Sequence, residues 1–241
     1  MAIIRAVVFD KDGTLFDFRA TWSAWARGFL SDLSGGDDVR LEAMADAIGF
    51  DLIEANFALN SPVIAGTPED IAKELLPLLP SHSASSLVEH MNQAAAVAPM
   101  VEATPLLPLL RGLRESGLRL GIATNDAEAP AKAHLISTDI MEEFDFISGF
   151  DSGFGAKPDP GMLIAFANHV SLAPENILMV GDSRHDLLAG RAAGMQTMAV
   201  LTGLSGHDQL APFADVVVPN IGHLPEWLLA KNLAPLGADF P

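Results

Sequence analysis

The chain has 241 residues, a formal net charge of −17, 49% hydrophobic and 19% charged residues, and no cysteine. This composition excludes a disordered chain and supplies ample material for a sizeable core, as one large domain or as a core with a modest insert. It also excludes disulfides, thiol nucleophiles and zinc–thiolate sites, and argues against nucleic-acid backbones and anionic membranes as partners. No apolar run approaches the roughly 20 residues of a membrane-spanning helix, and no leader is read at the N-terminus, so a soluble, cytoplasmic protein is expected. Any site for an anionic substrate must generate its own local positive potential.

Residues 3–9 form a run of β-branched and apolar side chains, which predicts a strand buried on both faces. The run stops at Asp10-Lys11-Asp12-Gly13-Thr14. Two carboxylates at i and i+2 on the end of a buried strand repel and lose hydration, so they need a cation or a proton between them. An ordinary Asp-Gly turn is the plainer alternative. Apolar residues then recur at helical spacing over 21–33, 39–59, 68–78 and 84–97, predicting a four-helix insert without strands. Thr67-Pro68-Glu69-Asp70 carries a capping Thr, a Pro at the first helical position and acids in the first turn.

From Thr104 the pattern alternates. Helices are predicted over 106–115, 129–137, 160–169, 186–193 and 224–231, and strands over 118–124, 144–148, 177–181, 196–200 and 216–218. Such alternation implies an α/β fold, a parallel sheet with helices on both faces. Ligands of these folds bind outside the carboxyl ends of the strands, where strand order reverses. Asp10, Thr124 and Asp182 each follow a strand, which predicts one shared edge. The tail, 234–241, is expected to pack loosely or fray.

The segment from Phe9 to Asp17 (FDKDGTLFD) resembles the first motif, DxDGTLxD, of the haloacid dehalogenase-like (HAD) hydrolases, in particular their phosphatases. Thr124-Asn125, Lys157-Pro158-Asp159-Pro160 and Gly181-Asp182-Ser183-Arg184-His185-Asp186 match the other three motifs in order. A lone DxD is weak, whereas four ordered motifs are specific. The resemblance spans the chain, although residues 17–104 match only in position and character. It implies a Rossmann-like core of residues 1–17 and 100–241 with a small α-helical cap domain over 18–99. The implied activity is Mg²⁺-dependent hydrolysis of a small phosphorylated metabolite through an aspartyl-phosphate, as in the phosphoglycolate phosphatases. A sugar-phosphate mutase of the same family is the enzymatic alternative, and a binding protein with a vestigial site is the non-enzymatic one. Oligomeric state stays open.

Asp10 is the candidate nucleophile, since a carboxylate can attack phosphorus and divide one hard displacement into two easier ones. From the resemblance, Asp12 is the general acid and then the general base, with its backbone carbonyl as a metal contact beside the carboxylates of Asp10 and Asp182. Asp186 lies one helical turn after Asp182 and is expected to hold a metal-bound water. Thr14 is expected to brace the loop; Ser183 is left unassigned, and His185 is expected to face solvent. The hydroxyl and backbone N–H groups of Thr124 and Asn125 are candidates for phosphoryl oxygens, or alternatively cap the next helix. Lys157 is expected to neutralise Asp10 and the transferring phosphoryl group, with a plain surface lysine as its alternative.

Two positions depart from the family pattern. Asp126 adds negative charge with no assigned role. Lys11 stands where relatives commonly carry an apolar residue, and period-two alternation predicts that it points away from the acid pair, in a peripheral role facing the insert or the substrate. In the insert, Trp22, Trp25 and Arg27 and the loop 61–66 either face the site or, for the Trp pair, form core, which is the preferred reading. Arg19 and Arg27 are possible anchors for a substrate carboxylate, with surface placement preferred.

Overall fold

The computed structural model describes residues 3–233, so the predicted fraying tail lies outside the described residues. Strand β1 (Ala6–Phe9) is buried at every residue, as a strand with neighbours on both faces requires. It begins three residues later than the apolar run.

The insert follows. Asp17 caps α1 (Phe18–Ser34) by accepting from the Ala20 N–H at 2.9 Å. Helix α2 (Asp38–Ala47) then stops, and the helix predicted over 39–59 does not continue. The chain turns at Gly49 and forms a hairpin of β2 (Phe50–Asp51) and β3 (Asn56–Phe57). The reason is packing: Phe50 and Phe57 meet across the hairpin with ring centroids 4.9 Å apart, while Ile53, on the predicted helix, is fully solvated at the tip. The short α3 (Pro62–Ala65) precedes α4 (Pro68–Leu75), whose Thr67 and Asp70 form the capping box. Helix α5 (Ala84–Ala95) completes the insert. The insert therefore holds five helices and a hairpin, not four helices alone. Phe18, Phe29, Leu30, Met44, Ile48 and Leu87 belong to a hydrophobic cluster confined almost wholly to this segment.

Two short stretches join the insert to the rest. Asp17 N–H donates to Val101 O at 2.8 Å and Ala103 N–H to Leu15 O at 2.9 Å, with Phe16 bridging Glu102. Beyond them run α6 (Leu106–Glu115), β4 (Arg119–Ala123), α7 (Glu128–Ser137), β5 (Phe146–Ser148), α8 (Gly161–Val170) and β6 (Ile177–Gly181). The chain ends with α9 (Arg184–Ala192), β7 (Gln196–Val200), the unpredicted short α10 (His207–Leu210), β8 (Val216–Val218) and α11 (Leu224–Leu233).

All six core strands are parallel, in the order β5-β4-β1-β6-β7-β8. Alternation along β1 sends Val7 and Phe9 to the face where Leu110, Leu113, Leu135 and Leu228 pack. Ala6 and Val8 face Met162, Leu163, Phe166 and Ala189 on the other side. Helices thus cover both faces, as the alternating sequence implied. Successive strands go outward from β1 in one direction through β4 and β5, then in the other through β6, β7 and β8. The reversal flanks the carboxyl end of β1, which is where a ligand belongs in such a sheet. No helix among the described residues is long and apolar enough to cross a membrane.

Candidate active site

The three strands at the reversal deliver their polar residues to one place. Asp10 leaves β1 with its N–H still bonded to Val180 O, at 2.8 Å. Carboxylate oxygens of Asp10, Asp182 and Asp186 lie within 4.8 Å of one another, all in buried side chains. Gly13 and Gly203 make room for Asp182, because a Cβ at either position would run into its carboxylate. Thr14 Oγ1 approaches Asp182 Oδ1 at 3.5 Å.

Lys157 reaches this cluster from the loop before α8. Its ammonium lies 2.6 Å from Asp10 Oδ1 and 2.6 Å from Asp186 Oδ1, and donates to Ala123 O at 2.7 Å. The side chain is only 3% exposed, which rules out the surface alternative. Asp186 is held in turn: its Oδ2 accepts from the Ser183 N–H at 2.9 Å and from Ser183 Oγ at 2.8 Å. Ser183, unassigned from sequence, is thus the N-cap of α9 and fixes Asp186 through a capping box. Both Asp186 oxygens are engaged by protein groups.

Three buried carboxylates against one ammonium leave the cluster negative. Burial pushes the Asp10 carboxyl up to about 7, with Lys157 opposing and Asp186 and Asp12 adding to the rise. Asp182 is pushed well above the usual carboxylate range by burial first, then by Asp186 and Asp10. Burial alone would lower Lys157, but Asp10 and Asp186 outweigh it and hold the ammonium charged. An all-oxygen, buried and under-neutralised donor set suits a hard divalent cation.

Thr124 and Asn125 do not cap α7, whose N-cap is Ala127 without a side-chain bond. Thr124 Oγ1 accepts from the Asp126 N–H at 3.1 Å and braces the turn. The Asn125 amide grips the backbone of Lys157 from both sides, donating to its carbonyl at 2.9 Å and accepting from its N–H at 2.8 Å. It also donates to Ala65 O of the insert at 2.8 Å. Nothing in the local sequence announced this clamp.

Lys11 faces the insert, its ammonium 5.5 Å from the centre of the Trp22 ring, but its burial and its pairing with Asp12 are the clearest correction. Its side chain is completely buried, not peripheral, with the ammonium 2.6 Å from Asp12 Oδ2, 3.2 Å from Asp126 Oδ2 and 3.0 Å from His134 Nδ1. The alternation rule fails because β1 ends at Phe9: the N–H groups of Leu15 and Phe16 fold back onto Lys11 O, and the side chain turns inward. Burial lowers the Lys11 ammonium, but Asp12 and Asp126 more than compensate and leave it raised. Burial, with Lys11 adding to it, pushes His134 down, so Nδ1 accepts from Lys11 and Nε2–H donates to Ala95 O at 2.6 Å. Asp126 therefore has a partner: it is the second carboxylate on Lys11. Opposite charges at the two positions that break the family pattern were the available signal.

A cavity of about 60 Å³ lies between sheet edge and insert. Asp10, Asp12, Lys157 and Asp186 line it from the core, and Trp22, Trp25 and residues 63–66 from the insert. The two Trp side chains are also part of the insert's cluster, as preferred from sequence. Arg27 is exposed and donates to Leu52 O at 2.8 Å, Arg19 is exposed, and neither lines the cavity. His185, expected to face solvent, is exposed but also lines the cavity.

A family model described as haloacid dehalogenase-like hydrolase matches residues 4–194. A phosphoglycolate phosphatase of Nitrosospira multiformis is 29% identical over 220 residues, covering 90% of this chain and 92% of its own. One of Pseudomonas putida is 31% identical, over 83% of this chain and 70% of its own. Among solved structures, a HAD phosphatase from Thermococcus onnurineus aligns with a TM-score of 0.66 at 21% identity, covering 93% of this chain and 98% of its own. A β-phosphoglucomutase from Clostridium difficile gives 0.67 at 18% identity, over 95% and 97%. These last two share the fold. With its four motifs brought together at one sheet edge, the chain belongs to the haloacid dehalogenase-like hydrolases.

Proposed function

We propose that this protein is a Mg²⁺-dependent phosphatase that hydrolyses a small-molecule phosphate monoester through an aspartyl-phosphate on Asp10. The observation that carries the reading is the convergence of Asp10, Asp182, Asp186 and Lys157 at the reversal of the sheet. The carboxylates of Asp10 and Asp182, with the backbone carbonyl of Asp12, would hold the Mg²⁺. The ion supplies neutralisation of the charge on the cluster and on the phosphoryl oxygens.

Asp10 attacks phosphorus; the Asp10 O–P bond forms as the bond to the leaving oxygen breaks, and Asp12 gives its proton to that oxygen. Asp12 then takes a proton from water, whose oxygen attacks phosphorus, releasing phosphate and restoring Asp10. Lys11 fixes the orientation of Asp12 throughout. Lys157 fixes Asp10 and meets the transferring phosphoryl group, held by Asp186 at its ammonium and by Asn125 at its backbone. Thr124 and Asn125 contribute phosphoryl contacts. Residues 18–99 act as a cap domain over the core of 1–17 and 100–241, hinged on the paired stretches at 15–17 and 101–103, and exclude water. The names of the relatives make phosphoglycolate the first ester to assay. Purified protein is expected to release phosphate from small monoesters with Mg²⁺ and to stop in EDTA; no release from any ester with Mg²⁺ present overturns the reading.

The electrostatics give a second expectation. In metal-free protein the Asp10 carboxyl keeps its proton up to about pH 7, whereas in the unfolded chain it releases it near 3.8. The folded state then binds more protons between these values, so its stability falls as pH rises through that window. Asp182 acts in the same direction. The loss is at most about 1.4 kcal/mol per pH unit from Asp10. Mg²⁺ competes with these protons, so the rise in Tm on adding Mg²⁺ should be small at pH 5 and larger at pH 7.5. A Mg²⁺ effect on Tm that is absent, or equal at both pH values, contradicts this.

A further inference from the structure

We infer that the leaving group accepted at this site is uncharged and mainly apolar, so that an ester bearing a carboxylate, such as phosphoglycolate, is a poor substrate. The inference rests on the phosphatase reading and concerns the half of the cavity that the insert supplies. Phe18, Trp22, Trp25, Val63, Ile71 and Met91 are the large apolar side chains of that wall, beside Ile64. A carboxylate brought against them would lose its hydration and require a cation or several N–H donors in return.

Among the described residues, no Lys or Arg at the cavity is free to serve. Lys157 is spent between Asp10 and Asp186, and Lys11 between Asp12 and Asp126. The lining carries Asp10, Asp12, Asp126 and Asp186 against the single ammonium of Lys157, so it offers a second carboxylate no surplus positive charge. His185 also lines the cavity, on the core side and next to Asp186 in the chain. Arg19 and Arg27 lie outside the lining, and Arg27 is bonded to Leu52 O.

Four backbone donors along the wall loop are already taken. Along the wall loop, Val63 N–H is taken by Ser61 Oγ at 3.2 Å and Ile64 N–H by Ser61 O at 3.2 Å. Gly66 N–H goes to Pro62 O at 2.9 Å and Thr67 N–H to the Asp70 carboxylate at 2.8 Å. What the wall does hold in reserve is neutral. The indole N–H groups of Trp22 and Trp25 and the Asn92 Oδ1 are buried without a hydrogen-bond partner among the described residues. Buried polar atoms of this kind ordinarily have one; a hydroxyl can meet Asn92 Oδ1, and a hydroxyl or ether oxygen the indoles, which bring no positive charge and fill only about two of a carboxylate's roughly four acceptor sites. Apolar walls with a few convergent neutral polar groups select by shape and burial, and reject a charge they cannot pair.

The test compares isobutyl phosphate and benzyl phosphate with 2-phosphoglycolate, by phosphate release with Mg²⁺. Alongside, isobutylphosphonate, benzylphosphonate and phosphonoacetate are titrated against tryptophan fluorescence, which reads the cavity without turnover. The better uncharged ester is expected to exceed phosphoglycolate at least tenfold in kcat/KM, and its phosphonate to bind at least tenfold tighter than phosphonoacetate. Asn92→Arg, which adds a cation to a half-buried wall position, should move the kcat/KM ratio at least tenfold toward phosphoglycolate. Equal or better turnover and binding of the carboxylate compounds overturns the inference, as does an unchanged ratio in folded Asn92→Arg protein. If no ester is turned over but the uncharged phosphonates still bind tighter, the hydrolase reading falls and the assignment of cavity chemistry stands.

Discussion

Asp10→Asn is expected to lower phosphate release by at least about 10³-fold while leaving the fold intact or slightly more stable. The substitution keeps the size and planarity of the side chain and removes only its charge, so it deletes the attacking oxygen without opening a cavity. The stability half of the expectation follows from the site's electrostatics. Asp10 is buried beside Asp186 and Asp12, and its carboxyl is pushed up to about 7. A neutral amide removes that repulsion, and its oxygen can still face the Lys157 ammonium, now 2.6 Å from Asp10 Oδ1. Phosphate release and a thermal melt on the same preparation check both halves. Undiminished release sinks the nucleophile assignment; a large fall in Tm shows instead that the charge of Asp10 is structural.

Lys157→Met should be costly in both respects. The ammonium satisfies Asp10, Asp186 and Ala123 O at 2.6, 2.6 and 2.7 Å, and each partner is buried. Methionine fills the space but leaves two carboxylates facing each other with no counter-charge. Breaking a buried pair from one side typically costs about 3–5 kcal/mol, and losing one preorganised charge at the reacting group costs about 10²–10³ in kcat. Urea unfolding and phosphate release measure the two effects. Lys157→Arg is not a rescue, because a planar fork cannot place one nitrogen against three converging acceptors. A Met variant within about 1 kcal/mol and tenfold of the parent would falsify the role given to this lysine.

What the sequence revealed depended on how locally each feature is determined. Parallel strands show as short runs rich in apolar and β-branched residues, so 177–181, 196–200 and the half-buried 216–218 are legible to the residue, as is the amphipathic α6. Asp10, Thr124 and Asp182 were placed because each follows such a run. The hairpin at 50–57 was missed because its strands are two residues long, too short for a period-two signal, and it is fixed by one Phe pair. Lys11 was misplaced because strand alternation was carried two residues past the end of the strand. The grip of Asn125 on Lys157 spans 32 residues and that of Asn125 on Ala65 spans 60. No pattern in a single sequence encodes such contacts; they exist only once the sheet has assembled its loops.

The Asn125 clamp and the His134 bond have a joint consequence for timing. Any lifting of the insert away from the sheet must break Asn125 Nδ2–Ala65 O on one side and His134 Nε2–Ala95 O on the other. The first bond is made by the amide that also grips Lys157, and the second by the ring that also touches Lys11. The two bonds thus tie the insert's seating to the groups that hold each ammonium. On the proposed reading, the full charge pattern would come into register only with the insert seated, when bulk water is least able to reach the Asp10 carboxylate.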